Sequence, residues 1–271
     1  VAPAYLLSGS SLYNSCLRAM GAKLGKDVVI GSITIRQPHL LEIGDGVSIG
    51  STVHLENVRV ERGMMIVGAI TLGREAYIGS YAVLQGDVTI DEAGRLESLS
   101  ALSSGQSVGA AEIWAGAPAR LLRRLGENER PTRPAVSTLR LRLEYGYFVL
   151  GAALTSILFF LPIFPSFALI DALEGTVLAP SLEGHGYVLA ALQYAALALP
   201  ASAVLIVGTA LIAAAFRWLV LPRLSAGSWP VHGDIYCRKW LANQIQVASM
   251  HVLHGVYATV YAPFWYRLLG A

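Results

Sequence analysis

From Val60 to Val108 an apolar residue falls at every sixth position: Val60, Ile66, Leu72, Ile78, Leu84, Ile90, Leu96, Leu102 and Val108, with Trp114 continuing the series. An earlier run, Ile43, Ile49 and Leu55, keeps the spacing one residue out of phase. A helix of 3.6 residues per turn cannot hold one face at this interval, and a strand alternating with period two has no need of it. A chain that turns through three six-residue sides does need it, because one apolar side chain then points inward on every side and successive coils stack. Residues 24–114 would make about five such coils. Glycine follows several inward residues, as in Leu24-Gly25, Ile30-Gly31, Ile43-Gly44, Leu72-Gly73 and Ile78-Gly79, where the chain is expected to bend sharply. The phase slip and the irregular HLENVRVERGMM stretch predict a loop or bulge around 56–65. Segment 91–107, DEAGRLESLSALSSGQS, keeps the spacing with few Gly or Val companions, so looser coils are expected there.

The second half of the chain obeys a different rule. Residues 146–170 hold 25 positions without a formal charge and residues 186–216 hold 31, and a bilayer-crossing helix needs about 20 apolar residues. Two such runs overfill any soluble core a 271-residue chain could build, which is why only 14% of the residues are charged. They predict a transmembrane hairpin, with Pro162 and Pro165 breaking the first span and Pro200 bending the second. Seven arginines lie between Arg120 and Arg142, and Arg217, Arg223, Arg238 and Lys239 follow the second span, whereas the connector 171–185 has no Lys or Arg. The positive-inside rule places both outer flanks, and with them the β-helix, in the cytoplasm. A third apolar stretch, 247–266, is expected to lie along the interface, re-enter the membrane or pack on the hairpin. The predicted fold class is a left-handed parallel β-helix of hexapeptide repeats, then a transmembrane α-helical hairpin, then a third apolar interfacial helix. Its divisions are a lead-in helix (1–23), the β-helix (24–125), a basic juxtamembrane segment (126–145), the spans, a cytoplasmic connector (217–245) and the terminal apolar helix (246–271). A net charge of +2 gives no support to nucleic-acid binding, and neither a disulfide framework nor a metal-ligand cluster is present in the sequence.

IGDGVSIG (43–50), LGREAYIGSYAVLQGDVTI (72–90) and AGAPARLLRRL (115–125) resemble the repeats and the terminal segment of the hexapeptide-repeat acyltransferase superfamily, with Ala117 where Asn or Ser is commoner. The resemblance implies acyl transfer from a thioester to an amine or hydroxyl, at a site between neighbouring β-helices, with a His as general base. Carried onto this chain, the base is His54 and the acyl-donor contacts are Gly116, Pro118 and Arg120. Against this stands a plainer reading: a solvated rim histidine, and residues that only cap and exit the β-helix. His39, in RQPHLL, is the weaker histidine.

The whole arrangement, with AGSWPVHGDIYCRKWLANQI (226–245), resembles the membrane-associated carboxy-terminal region of ε-poly-lysine-synthetase-type nonribosomal peptide synthetases. His232 and Lys239 stand where that signature has Trp. Near the start, Arg18, Gly21 and Ala22 are echoed by Arg267, Gly270 and Ala271 at one offset of 249, as if a second repeat unit begins there. The resemblance implies amide-bond formation from aminoacyl thioesters. The donor would sit on carrier-protein phosphopantetheine or on coenzyme A, with no covalently bound cofactor. Its partners would be upstream adenylation and carrier domains of the same polypeptide, the lipid bilayer, and neighbouring β-helix units in cis or as a trimer. Two alternatives remain open: a coenzyme A-dependent membrane O- or N-acyltransferase, and a non-catalytic β-helix scaffold.

Overall fold

The computed structural model describes residues 7–129, 136–174, 187–221, 224–257, 259 and 261–270. Most of the connector 171–185, together with Arg130, Arg133, Arg223 and Ala271, lies outside them. Two compact units divide the chain, residues 1–145 and 146–271.

The first unit is the three-sided coil that the six-residue spacing demands. Its strands form three parallel sheets, each taking every third strand. Sheet A runs β1 (Lys23–Leu24), β4 (Leu41–Ile43), β9 (Ile70–Leu72), β12 (Val88–Ile90) and β15 (Ser107–Val108). Sheet B runs β2 (Val29–Ile30), β5 (Ser48–Ile49), β10 (Tyr77–Ile78), β13 (Arg95–Leu96) and β16 (Glu112–Ala115). Sheet C runs β3 (Ile33–Ile35), β6 (Val53–Glu56), β11 (Val83–Gln85) and β14 (Ala101–Leu102). Ile78 stacks on Leu96, Leu84 on Leu102 and Ile90 on Val108, so each of these later coils takes eighteen residues, one fewer than the nineteen between Leu24 and Ile43 in the first. These side chains fill the axis of the prism and are buried.

The register between coils two and three is wider. Leu55 pairs with Leu84 and Ile43 with Leu72, twenty-nine residues apart. The surplus of eleven is an antiparallel hairpin, β7 (Val58–Glu61) and β8 (Met64–Val67), thrown out between sheets C and A. Eleven is one residue short of two hexapeptides, which explains the slip of one. Two members of the sequence series are therefore not core residues. Val60 is 76% exposed and Ile66 is half-buried, both on the hairpin. The expectation of looser coils at 91–107 is also corrected: Leu96, Leu102 and Val108 are as fully buried as Ile78.

The corners revise the role of glycine. Glu75, Tyr81, Asp87, Ala93, Leu99, Gly105 and Ala111, again six apart, hold φ between 55° and 77°. These left-handed positions make the bends, and most are not glycine. At three of them glycine lies two residues earlier, Gly73, Gly79 and Gly109, and such glycines stand where successive coils touch. A Cβ on Gly79 would sit 2.3 Å from the Ser98 amide nitrogen, and one on Gly50 2.6 Å from that of Ser80.

Both ends of the prism are closed. At the first coil, helix α1 (Ser11–Ala19) buries Tyr13 and Leu17 in the core, and Asn14 Nδ2 donates to Val28 O at 2.7 Å. At the other end, the arginine-rich segment turns back rather than leaving: β17 (Arg120–Arg124) pairs antiparallel with β16.

The second unit is helical. Helix α2 (Thr138–Phe160) bridges the boundary between the units, a break at Leu161 and Pro162 follows, and α3 (Ile163–Leu173) continues. Pro165 falls in the first turn of α3, where no intrahelical N–H is missed. Helix α4 (Tyr187–Val220) runs through Pro200. The runs Thr138–Leu173 and Tyr194–Val220 are long and apolar enough to cross a membrane, with 22% and 17% of their most apolar windows buried within the chain. Helix α5 (Asp234–Val252) packs on α2, with Phe148 edge-on to Trp240 at 4.7 Å and Gly151 admitting Leu241. The third apolar stretch becomes the end of α5, the short α6 (His254–Tyr257) and α7 (Ala262–Leu268), and Trp265 and Leu269 share a core with Ala213 and Ala214 of α4.

Candidate functional site

The three outer faces differ in chemistry because register fixes which side chains line up. Sheet A presents Lys23, Glu42, Thr71, Thr89 and Ser107, a polar row suited to water. Sheet B presents Ser48, Tyr77 and Arg95, the guanidinium lying over the Tyr77 ring at 5.5 Å. Sheet C presents Thr34, His54, Val83 and Ala101. Along that row His54 is the sole titratable group. Tyr81 and Leu99, at corners between sheets B and C, are exposed and extend the apolar surface.

His54 alternates outward on β6 because Val53 and Leu55 are taken by the core. Its imidazole is exposed and has no hydrogen-bond partner among the described residues. His39 lies on a 3-10 turn (Pro38–Leu40) beside Gly21 at the first coil, outside the sheet C row.

The proposed donor contacts lie at the far end of the same face. Ala101 N–H donates to Gly116 O at 2.9 Å and Ala119 N–H donates to Ala101 O at 2.8 Å, so 116–119 lies across β14. Gly116, at φ +98°, receives its own anchor: its N–H donates to Ser100 Oγ at 3.0 Å. Pro118, after a cis peptide, is exposed, and Arg120 leaves sheet C to begin β17 opposite Ala115. Strands β11 and β14 separate His54 from this turn. At about 4.8 Å per strand the gap is about 14 Å. Within one unit, base and turn share a face without meeting.

Two polar devices beside this face escaped the sequence reading. Asn57 is buried, with Nδ2 donating to Gln37 O at 2.6 Å and Oδ1 accepting from Gln37 N–H at 3.3 Å, which ties the hairpin root to the exit of β3. Gln85 Oε1 accepts from Arg59 Nη1 at 3.2 Å and from Ser104 N–H at 3.1 Å, holding the hairpin from the other side. At the closing strand, Glu112 accepts from Trp114 Nε1, Gly109 N–H and Arg124 Nη2. The Trp114 bond first, then Gly109 and Arg124, hold its carboxyl below the ordinary 4.5. Arg123 binds Glu129 with both terminal nitrogens and, helped by Gly126 N–H, draws that carboxyl down to about 2. No group of His, Cys, Asp and Glu suited to a metal ion occurs among the described residues.

No protein-family model matches the chain. Over 272 residues it is 45% identical to delta-poly-L-ornithine synthetase of Acinetobacter baumannii (strain AB307-0294), a match covering 100% of this chain and 20% of that protein. The chain thus spans about a fifth of the length of the curated relative it matches. The similarity is to a polyamino-acid synthetase and does not single out the ε-poly-lysine type. Among solved structures, it is similar to a hexapeptide-repeat acetyltransferase of Vibrio cholerae O1 biovar eltor complexed with acetyl coenzyme A (19% identity, 43% of this chain and 78% of that one, TM-score 0.37). It is also similar to a maltose O-acetyltransferase of Clostridium difficile 630 (14%, 43% and 76%, 0.37). A galactoside acetyltransferase in complex with coenzyme A gives 22%, 46% and 76%, with a TM-score of 0.37.

Proposed function

We propose that the β-helix unit transfers an acyl group from a pantetheine thioester to an amine, and that within a longer membrane-bound synthetase the acyl group is an amino acid and the product an amide-linked polymer. The observation that carries this reading is the 45% identity to a poly-L-ornithine synthetase along the whole chain, β-helix and apolar helices alike. The site geometry supports it. An outward imidazole, with the exposed Glu56 two residues further along the same strand, can accept the proton that an attacking amine must lose. Peptide N–H groups or a side-chain donor would stabilise the tetrahedral oxyanion.

One unit leaves His54 open to water and about 14 Å from the 116–120 turn. Val83 and Ala101 of sheet C, with exposed Tyr81 and Leu99 at the adjoining corner, would give a second β-helix, in cis or in a trimer, a surface to dock on. His54 would then face the pantetheine arm held by the partner's Gly-Ala-Pro turn. The two apolar runs, mostly unburied within the chain, would anchor the unit in the bilayer with its arginine-rich flanks in the cytoplasm, where carrier domains are found.

Coenzyme A and a carrier-borne phosphopantetheine present the same reacting arm, and the test separates them. In the full-length synthetase, His54→Ala should leave carrier loading intact and lower polymer formation by about a hundredfold or more; unchanged polymer formation removes His54 as base. Given an aminoacyl or acetyl coenzyme A and an amine acceptor, the 271-residue chain should release little free thiol. Rapid release would instead favour a coenzyme A-dependent membrane acyltransferase.

A further inference from the structure

The strand that closes the β-helix is open to solvent along its whole length. All five residues of β17 are exposed, and among them Leu121 is 50% exposed and Leu122 65%. It is the outermost strand of sheet B, joined on one side to β16. Ile113 pairs with Arg123 and Trp114 with Leu121, which leaves Leu122 as the extra residue of a bulge. A bulge breaks the strict alternation of a strand, and it lets two successive leucines stay outside the core.

Charge gathers at the same place. From Arg120 to Arg142 seven arginines stand against two glutamates, a net +5 in a chain whose whole charge is +2. Two of the arginines on β17 have partners, Arg124 with Glu112 and Arg123 with Glu129. Those ion pairs hold the guanidinium groups in position without hiding them, since the Arg124 side chain remains 76% exposed and that of Arg123 52%. Arg120 is exposed beside them.

Chain length says what this surface meets. Glu129 is fastened to β17 by its two bonds to Arg123, and the run long enough to cross a membrane begins at Thr138. Eight residues lie between, and fully extended they span about 30 Å at most. The closing end of the prism is thus tied to the start of that run, whereas β2, at the other edge of sheet B, lies five strand spacings or about 24 Å further off. A second copy of the strand is a poor occupant, because pairing at this edge would set Arg120, Arg123 and Arg124 against the same three residues. An anionic bilayer suits both features. Arginines near its surface are drawn to lipid phosphates, while their stems and the neighbouring leucines bury at the acyl boundary.

We propose that β17 seats the β-helix on an anionic bilayer, with Leu121 and Leu122 at the acyl-chain boundary and the guanidinium groups of Arg120, Arg123 and Arg124 on lipid phosphates. The contact rests on the membrane anchoring of the reading above and not on His54 or the transfer reaction. The prism then stands on its closing end, and sheet C stays open along its length to a neighbouring β-helix.

The test uses the 271-residue chain with Cys16→Ser and Cys237→Ser, reconstituted into vesicles of phosphatidylcholine alone or mixed with phosphatidylglycerol. Leu122→Cys carries an environment-sensitive fluorophore, Lys23→Cys on the first coil carries it as the control, and brominated acyl chains report contact by quenching. In mixed vesicles Leu122→Cys should be quenched about threefold more than Lys23→Cys, and in phosphatidylcholine alone that difference should fall by about half. Leu121→Cys should behave as Leu122→Cys does, and it gives the answer if a label on the bulge disturbs the strand. Equal quenching at the two strands in mixed vesicles, in a chain that floats with them, overturns the contact and leaves the anchoring intact. A chain that does not float with vesicles overturns both. Quenching that ignores phosphatidylglycerol overturns the anionic surface, and disulfide-linked dimers of Leu122→Cys without quenching overturn the proposal by assigning the strand to a second copy.

Discussion

Gly79 shows how much a stacked coil asks of one position. A methyl group there would meet the backbone of the next coil at 2.3 Å, and backbone in a fully hydrogen-bonded prism has nowhere to retreat. Gly79→Ala should therefore lower the stability of the β-helix by about 1–3 kcal/mol, while Gly126→Ala, whose Cβ would find nothing nearer than 3.9 Å, should change it little; chemical denaturation followed by circular dichroism measures both. The glycines were legible in the sequence, but their reason was not. A repeated Gly looks like a bend, and only the coil-to-coil distance reveals a contact. The true bends fall on Glu75, Tyr81, Asp87, Ala93 and Leu99, which share no side-chain chemistry to mark them. Glu112 belongs to this scale as well. Its depressed carboxyl gives stability that is fully present above the ordinary value of 4.5 and is lost as pH falls through its lower value in the folded chain. The Trp114 indole N–H resonance should stay fixed from pH 8 to about 4.5 and move only below that. In Glu112→Gln the movement should vanish, and a titration above pH 5 in the unaltered chain would show that another group controls the bond.

The slip in the six-residue spacing marks a loop or bulge at 56–65, where the hairpin stands, but does not show that it is paired strand. Val60 and Ile66 fall on the beat by coincidence, since an insertion of eleven nearly restores the phase, and apolar composition supplied residues to occupy it. The excursion can be removed on paper without touching the prism. Deleting 57–67 joins Glu56 to Gly68 and leaves Leu55 and Leu72 six residues apart. The shortened chain should keep its β-strand spectrum and its resistance to protease, with a lower melting temperature because the Asn57 bonds to Gln37 are lost. Collapse of the fold on deletion would mean that the hairpin supports the coils rather than decorating them. Helix ends carry a second element-scale lesson. The sequence echo between residues 18–22 and 267–271 appears as one geometry: Gly21 at φ +95° donates to Arg18 O at 2.9 Å, and Gly270 at φ +87° to Arg267 O at 3.0 Å. Here sequence identity marked a shared helix stop. It could not show that α7 is also held on α4, where Arg217 Nε donates to Leu269 O at 3.0 Å and Trp218 Nε1 to Leu268 O at 2.9 Å.

At the scale of the whole molecule, composition already divided the chain into a coil and a pair of apolar helices, because each kind of burial leaves its own period or length. The candidate site was less legible. His54 could be named from its type, but its distance from the Gly116 turn depends on strand order across sheet C, which no local pattern encodes. Orientation rests on charge alone: seven arginines from Arg120 to Arg142 flank the first apolar run and the connector 171–185 has no Lys or Arg. That asymmetry makes a prediction. In a chain with Cys16→Ser and Cys237→Ser, a cysteine placed at Ser107, exposed on the polar face of sheet A, should react with a membrane-impermeant maleimide only after the cells are permeabilised. One placed at exposed Asp171, the first residue of the connector, should react in intact spheroplasts. The thioester donor proposed for His54 must come from the side on which carriers are loaded, so labelling of Ser107→Cys in intact spheroplasts would separate the β-helix from its donor and refute the transfer reaction together with the topology.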